Sequence, residues 1–176
     1  MINKGEEQRA HLIMKLRGQG IRSASVLSAI ESVPRDIFIE NALKNHAWEN
    51  VTLPIGEGQT ISQPYIVALM TTALNLSGKE IVLEIGTGSG YQASILSLLC
   101  RRVYTIERIK TLHEFSNKKF KELKLNNITT KFGNGSLGWP EVSPFDRIIL
   151  TCAINQIPKQ LFLQLKKIFI ITEYSL

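Results

Sequence analysis

The stretch Glu84-Ile85-Gly86-Thr87-Gly88-Ser89-Gly90 decides the fold of this 176-residue chain. It begins at the end of a short apolar run at 81–85 and precedes a segment, 91–100, whose residues favour a helix. Glycines allow positive φ in a turn and let a ligand approach the backbone closely. A buried strand, a glycine turn and a helix in this order are typical of a parallel sheet that binds a ligand at its carboxyl edge.

Strand and helix patterns alternate on the carboxyl side of this turn. The predicted elements there are, in chain order, a strand at 103–106, a helix at 110–125, strands at 128–132 and 145–153, a helix at 158–167 and a strand at 168–172. Such alternation indicates βαβ units with helices on both faces of a mostly parallel sheet. The predicted fold class is therefore α/β and Rossmann-like.

The residues before the turn predict helices separated by one long loop. Apolar residues recur at helical spacing in the first 45 residues, and Ser23 and Ser25 are both candidate caps of the second helix. The segment 46–62 is irregular, and long loops in compact domains usually form lids or binding segments. We predict a single domain over the whole chain, in which 1–62 forms the helical and loop part and 63–176 forms the core.

Composition and charge exclude several classes of protein. The chain is 44% hydrophobic and 20% charged, which is typical of a soluble globular domain, and its net charge of +6 is scattered rather than clustered. Two cysteines, Cys100 and Cys152, form no metal-binding pattern. Residues 1–7 do not resemble a secretory signal, and the longest uncharged stretch, 58–78, is too polar for a membrane span. We expect a cytoplasmic location, with no metal and no membrane partner.

Acidic and polar residues stand at the ends of three predicted strands. Glu84 lies two residues before the first glycine, where a carboxylate suits a ligand with an ammonium group rather than phosphates. Glu107 ends the next strand and can accept from both hydroxyls of a ribose. Asn134, with Gly135, follows the third strand where an adenine edge would lie. Ribose, adenine and ammonium together describe S-adenosylmethionine; the alternative is that both glutamates are solvated strand ends.

Two motifs resemble one known family. Val82-Leu-Glu-Ile-Gly-Thr-Gly-Ser-Gly-Tyr91 resembles the cofactor loop of the protein-L-isoaspartate (D-aspartate) O-methyltransferases, and Leu53-Pro-Ile-Gly-Glu-Gly-Gln-Thr-Ile-Ser-Gln-Pro-Tyr65 resembles their own signature. Val33-Pro-Arg35, Ala47-Trp48 and Gly138-Trp139 also fit. The resemblance implies a class I S-adenosylmethionine-dependent methyltransferase. It would methylate the free carboxylate of L-isoaspartyl and D-aspartyl residues and so initiate the repair of damaged proteins.

The resemblance also implies roles for individual residues. Ser62 would contact the substrate carboxylate, since a hydroxyl can orient it by donating a hydrogen bond. The alternative is that Ser62 only caps the helix that follows. No general base is required, because an α-carboxylate with a pKa of about 3.3–3.7 is already ionised at neutral pH. The cofactor would contact Glu84, Gly86, Thr87, Gly88, Gly90, Glu107, Asn134 and Gly135. The substrate would contact Ile55, Thr60, Ile61 and Gln63.

Three features depart from the family pattern. Asn134 stands where an aspartate is expected, so we expect weaker cofactor binding. Cys152 stands at the carboxyl end of a predicted strand, where the family has a small residue. An RNA methyltransferase with a cysteine nucleophile is the less favoured alternative, because cysteine packs as a small apolar residue more often than it reacts, and nucleic acid is an unlikely partner. The family fold continues with a final antiparallel pair, and Lys166-Lys167 replaces an expected glycine turn. We therefore expect either a truncated or frameshifted member, or a dimer that covers the exposed strand at 168–172. An inactive relative that binds the cofactor poorly stays open as the alternative.

Overall fold

The computed structural model describes residues 4–154, 156–166 and 170–172. Its helices are α1 (Lys4–Gly18), α2 (Ala24–Ser32), α3 (Pro64–Ala73), α4 (Tyr91–Ser97), α5 (Lys110–Glu122) and α6 (Lys159–Phe162). Its strands are β1 (Leu53–Gly56), β2 (Gln59–Ile61), β3 (Ile81–Ile85), β4 (Arg102–Glu107), β5 (Ile128–Phe132), β6 (Arg147–Leu150) and β7 (Ile170–Thr172). Short 3-10 turns lie at Arg35–Phe38, Asn41–His46, Gly135–Leu137 and Pro140–Val142.

A five-stranded sheet in the order β5-β4-β3-β6-β7 forms the core. Every pairing between its described strands is parallel, and Leu83 at its centre lies between Tyr104 and Ile148. The prediction of a mostly parallel α/β sheet is confirmed. The chain builds outward from β3 to β5 on one side and then crosses to β6 on the other. Strand order thus reverses between β3 and β6, which is where such sheets bind ligands.

Successive residues of β3 pack into different apolar clusters, one on each face of the sheet, because side chains alternate across a strand. Val82 packs with Met70 and Leu96 on the face covered by α3 and α4. Leu83 packs with Leu161 on the opposite face. Both faces of the central strand are therefore buried, as expected for a sheet with helices on each side.

The N-terminal helices pack onto the same body. Leu16 of α1 and Phe38 belong to one apolar cluster with Val67 of α3 and Tyr91 of α4. The rings of Phe38 and Tyr91 meet edge to face, with centroids 5.5 Å apart. Ser23 caps α2, as one of the two predicted alternatives, by accepting a hydrogen bond from a backbone N–H in its first turn. That the chain forms a single domain stays a prediction.

The segment 46–62, predicted as an irregular loop, contains an antiparallel hairpin of β1 and β2. The hairpin turns at Gly56, Glu57 and Gly58, which all have positive φ. Thr111 at the start of α5 donates a 2.7 Å hydrogen bond to the Glu57 carboxylate. This contact over 54 residues holds the hairpin tip against the core, which a local pattern cannot reveal.

The elements of the C-terminal part are shorter than predicted. The strand expected at 145–153 is β6, which covers only Arg147–Leu150. Just after its end, the Thr151 hydroxyl donates to the Gly86 carbonyl at 2.6 Å. The helix expected at 158–167 ends at Phe162. Of the strand expected at 168–172, β7 covers 170–172, and positions 168 and 169 lie outside the described residues.

The described part of β7 is an edge strand that pairs with β6 on one side. Lys166, expected in place of a glycine turn, forms a 2.8 Å ion pair with Asp146 just before β6. Lys167 lies outside the described residues, and a dimer through this edge stays a prediction. None of the described helices has the length and apolar character to cross a bilayer. The described residues contain no cluster of three side chains suited to hold a metal ion.

Candidate active site

A cavity of about 430 Å³ opens at the carboxyl ends of β3, β4, β5 and β6. Its volume lies in the range of small-molecule sites, which is roughly 300–1,000 Å³. The segments that form most of its wall are 59–62, 85–89, 106–108, 134–136 and 150–154. The cavity therefore lies at the switch point of the sheet, and the end of the β1–β2 hairpin closes one side of it.

The glycine loop after β3 has a backbone that other residues would not adopt. Gly86, Gly88 and Gly90 have φ values of 96°, 54° and 94°, in the region that side chains disfavour. A Cβ at Gly86 would lie 3.1 Å from the Thr151 hydroxyl, and one at Gly90 would lie 2.8 Å from the Phe120 ring. The first two glycines line the cavity, whereas Gly90 lies behind it against α5.

Glu107 at the end of β4 joins two turns. One carboxylate oxygen accepts from the Gly88 N–H at 2.8 Å, and the other accepts from the Ile109 N–H at 2.9 Å. The side chain is 5% exposed and lines the cavity. Each carboxylate oxygen can accept a second hydrogen bond. Glu107 can therefore hold the loop and still receive the two hydroxyls of a ribose.

Glu84 lies beneath the glycine loop and not in the cavity wall. It is on the same face of β3 as Val82, is fully buried, and accepts a 2.5 Å hydrogen bond from Thr105. Burial raises the pKa of Glu84 from 4.5 to about 8, a rise that the Thr105 hydroxyl opposes and the charge of Glu107 increases. The Thr105 hydroxyl also lies 2.6 Å from that of Thr87, which lines the cavity. Thr105 and Thr87 thus connect Glu84 to the site.

The residues after β5 form another part of the cavity wall. Asn134 accepts a 3.0 Å hydrogen bond from the Ser136 N–H through its side-chain oxygen, which starts a 3-10 turn. A Cβ at Gly135 would overlap the Ile85 side chain, so only glycine fits there. Asn134 and Gly135 both line the cavity. Because the amide oxygen is neutral and already accepts one hydrogen bond, it is a weaker acceptor for an adenine amino group than a carboxylate would be.

The hairpin end provides the other half of the site. Thr60, Ile61 and Ser62 line the cavity, and the Ser62 carbonyl accepts a 2.9 Å hydrogen bond from Arg35. The N-cap of α3 is Gln63, and that cap has no side-chain hydrogen bond. Gln63, and not Ser62, therefore occupies the N-cap position, which disfavours the alternative that Ser62 only caps the helix.

Two predicted substrate residues lie away from the cavity wall. Ile55 packs on the outside of the glycine loop, with its Cδ1 3.5 Å from the position of a Cβ on Gly88, and Gln63 occupies the cap position. Their proposed contacts with substrate stay predictions. The cavity wall also contains Gln59 and Arg108, which the sequence did not single out. Each adjoins a residue that was predicted, so extending the candidate segments by one position would have found both.

Cys152 lines the cavity beside the glycine loop but is a poor nucleophile. Burial raises the pKa of its thiol, and the charge of Glu107 adds to the rise. The thiolate is the reactive form of cysteine, so this position disfavours the alternative in which Cys152 attacks a nucleobase.

The residues fit S-adenosylmethionine. Glu84 has one buried carboxylate oxygen with no hydrogen-bond partner within the described part of the chain, and an ammonium group bound at the glycine loop above it would favour its ionised form. The glycine loop leaves its backbone open to the cavity, and Glu107 and Asn134 face it with acceptors. The site can thus hold an amino-acid nucleoside of positive charge.

The strand order, the glycine loop after β3 and the acid that ends β4 define the class I fold of S-adenosylmethionine-dependent methyltransferases. The chain belongs to the protein-L-isoaspartate (D-aspartate) O-methyltransferase family, whose family model matches residues 7–170. This confirms the fold class and the family predicted from the two motifs. Members of the family use S-adenosylmethionine to methylate isoaspartyl residues.

Individual relatives agree with this assignment. The protein-L-isoaspartate O-methyltransferase of Parvibaculum lavamentivorans is 54% identical over 166 residues, which cover 94% of this chain and 75% of the relative. That of Dictyoglomus thermophilum is 53% identical over 161 residues, or 92% and 73% of the two chains. The chain thus spans about three quarters of the length of these curated relatives.

Two solved structures share the fold. A protein-L-isoaspartate O-methyltransferase superposes with a TM-score of 0.83 at 30% identity, and the match covers 90% of this chain and 52% of that one. A protein from Plasmodium falciparum, described as a complex with S-adenosyl-L-homocysteine, superposes with a TM-score of 0.80 over 99% of this chain and 86% of that one. Its identity of 23% supports the fold alone.

Proposed function

We propose that this chain transfers the methyl group of S-adenosylmethionine to the free carboxylate of L-isoaspartyl, and of D-aspartyl, residues in damaged proteins, with S-adenosyl-L-homocysteine as the leaving product. Ser62 and the glycine loop position the two reactants. The observation that carries this proposal is that the family signature at Thr60–Ser62 and the loop at Gly86–Gly88 line one cavity. The product of this reaction is a methyl ester, which starts the repair of the damaged residue.

The chain has to position the two reactants rather than move protons. The substrate carboxylate is ionised at neutral pH and is itself the nucleophile. When bound, S-adenosylmethionine supplies an electrophilic methyl group on a cationic sulfur. Ser62 donates a hydrogen bond that fixes one carboxylate oxygen, so that the other faces the methyl group. Such orientation can account for about 7–11 kcal/mol of a reaction barrier.

The cofactor would be held by the residues at the strand ends. Glu107 receives the ribose hydroxyls, and Asn134 and Gly135 border the adenine. Glu84 favours the ammonium group electrostatically from beneath the loop, with Thr87 and Thr105 between them. Gly86 and Gly88 leave room for the ligand at the cavity wall.

Methyl transfer from labelled cofactor to matched isoaspartyl and aspartyl peptides tests this function. We expect labelling of the isoaspartyl peptide alone. Ser62→Ala should lower kcat by roughly ten- to a hundredfold, which corresponds to one hydrogen bond to a charged group. It should leave the Kd of S-adenosyl-L-homocysteine within about twofold of the wild type. Ser32→Ala, which removes an exposed hydroxyl on α2, is the matched control.

Other outcomes of this assay have a defined meaning. Equal losses of kcat and of cofactor affinity in Ser62→Ala would contradict the role given to Ser62. Cofactor binding without transfer to either peptide would support the alternative of an inactive relative. Labelling of RNA instead of peptide would support the RNA methyltransferase. We also infer a cytoplasmic location and a monomer, as in the family.

A further inference from the structure

Arg35 is a buried charge without an acidic partner. It begins the 3-10 turn Arg35–Phe38 and is 0% exposed. Within the described residues no carboxylate forms an ion pair with it. Burial lowers its pKa, but a guanidinium remains protonated in proteins. Arginine is almost never fully buried unless it is paired, so this position calls for an explanation.

The guanidinium holds both ends of the β1–β2 hairpin. One terminal nitrogen donates to the Ser62 carbonyl at 2.9 Å, and the other donates to the Val51 carbonyl at 3.0 Å. Val51 lies two residues before β1, and Ser62 is the first residue after β2. The planar, forked geometry of arginine can bridge two such acceptors, whereas the point charge of lysine cannot.

The same charge lies directly behind the cavity wall. The Arg35 Cζ is 5.1 Å from the ring centre of Tyr91, and Tyr91 and Ser62 both line the cavity. Burial raises the pKa of Tyr91 to about 12, so its hydroxyl stays neutral and does not cancel the charge. A positive charge therefore lies behind the Ser62 part of the wall, whereas the part near the glycine loop is lined by both Glu107 and Arg108.

We propose that Arg35 is a positioning residue that fixes Ser62 through its backbone and whose charge makes the Ser62 end of the cavity select an ionised carboxylate. This inference rests on the proposed function and specifies its acceptor. The substrate carboxylate supplies the negative charge that Arg35 lacks in the free protein. Methylation removes that charge, so the neutral ester is held less tightly and leaves.

Two substitutions separate the effect of the two hydrogen bonds to the hairpin from the effect of the charge. Arg35→Met removes both, and Arg35→Lys keeps the charge but can reach only one of the two carbonyls. For the isoaspartyl peptide, we expect Arg35→Met to raise KM by at least about tenfold, as for loss of a buried charge partner. Arg35→Lys should leave KM close to the wild-type value, because the charge is kept, and should lower kcat, because Ser62 is no longer fixed. The Kd of S-adenosyl-L-homocysteine should stay within about twofold in both.

Equal KM values for Arg35→Met and wild type would overturn the proposal. So would equal increases of KM in the two variants, since a purely structural arginine would give that result. A wild type that methylates no isoaspartyl peptide would instead refute the proposed function, so the two failures are distinguishable.

A measurement on the wild type keeps the test valid if the variants do not fold. The protein saturated with S-adenosyl-L-homocysteine is titrated with an isoaspartyl peptide and with the same peptide esterified at that carboxylate. We expect the ester to bind at least about tenfold more weakly, because it has lost the charge. Equal affinities would show that Arg35 does not select the charged form and would overturn the proposal.

Discussion

Glu84 should release a proton when the cofactor binds. Its carboxyl group is fully buried, which raises its pKa to about 8. At pH 7 about nine tenths of the cofactor-free molecules therefore carry a protonated Glu84. An ammonium group bound at the glycine loop favours the ionised form. Binding at pH 7 should thus release about 0.9 proton, and at pH 8 about 0.5 proton.

The raised pKa has a consequence for stability. The unfolded chain ionises Glu84 near its ordinary pKa of 4.5, so the folded state binds more protons between pH 4.5 and about 8. The contribution of Glu84 to stability is then fully present below pH 4.5 and is lost as the pH rises through about 8. At pH 7 the loss amounts to about 3 kcal/mol. Glu84→Gln should remove this pH dependence in the cofactor-free protein.

Isothermal titration calorimetry with S-adenosyl-L-homocysteine measures the proton release. Titrations in two buffers of different ionisation enthalpy give the number of protons released on binding. We expect none in Glu84→Gln. Glu141→Gln, which removes an exposed carboxylate from a surface ion pair with Lys131, should behave as the wild type does. A wild type that releases no proton at pH 7, or a release that persists in Glu84→Gln, would refute the reasoning.

Three further predictions concern other parts of the chain. Gly90→Ala should destabilise the protein by roughly 1–3 kcal/mol in chemical denaturation, since a Cβ would lie 2.8 Å from the Phe120 ring. Gly133→Ala, where a Cβ would meet open space, should leave the stability unchanged. Equal losses of stability in the two variants would contradict this reasoning. Burial raises the pKa of Asp146, but hydrogen bonds from Lys166 and from the Ile81 N–H outweigh it and hold the pKa below 3.8. The contribution of Asp146 to stability is therefore present above pH 3.8 and is lost as the pH falls further. Acid unfolding followed by circular dichroism should show a smaller loss of stability with falling pH in Asp146→Asn than in the wild type. Alkylation of Cys152 at pH 7, followed by mass spectrometry, should be slow because burial raises the pKa of its thiol. Bound S-adenosyl-L-homocysteine should slow the alkylation further. An alkylation rate that this ligand does not change would place the thiol outside the site.

The parallel sheet and the glycine loop could be predicted because their signals are local. Apolar runs of four to six residues mark the strands, and the glycines at 86, 88 and 90 mark a turn that few other functions require. The rule that ligands bind at the carboxyl ends of parallel strands then brought Glu107 and Asn134 to the site. Each of these steps depends on residues close together in sequence.

The direction of the Glu84 side chain could not be predicted in the same way. In a strand that is buried on both faces, apolar residues do not alternate, so the sequence does not say which face a polar residue joins. Glu84 shares the α4 face with Val82, and therefore lies beneath the loop and not in the cavity wall.

The hairpin and the hydrogen bonds that hold it in place depend on contacts between distant residues. Strands of three and four residues are too short for a periodic signal, and the hairpin is held by Thr111 at its tip and by Arg35 at its base. The sequence singled out Arg35 only as part of a resemblance. Its complete burial, on which its proposed positioning role depends, can be seen only in the folded structure.

Glu107 binds two backbone N–H groups that lie on different turns, one at Gly88 and one at Ile109. A carboxylate can do this because it has only acceptors, whereas glutamine would point its amino group at one of those donors. The walls of the pocket are thereby linked before any ligand arrives. Capture of the nucleoside then requires no ordering of a loop, and its on-rate should be set by diffusion and not by a slow rearrangement of the protein.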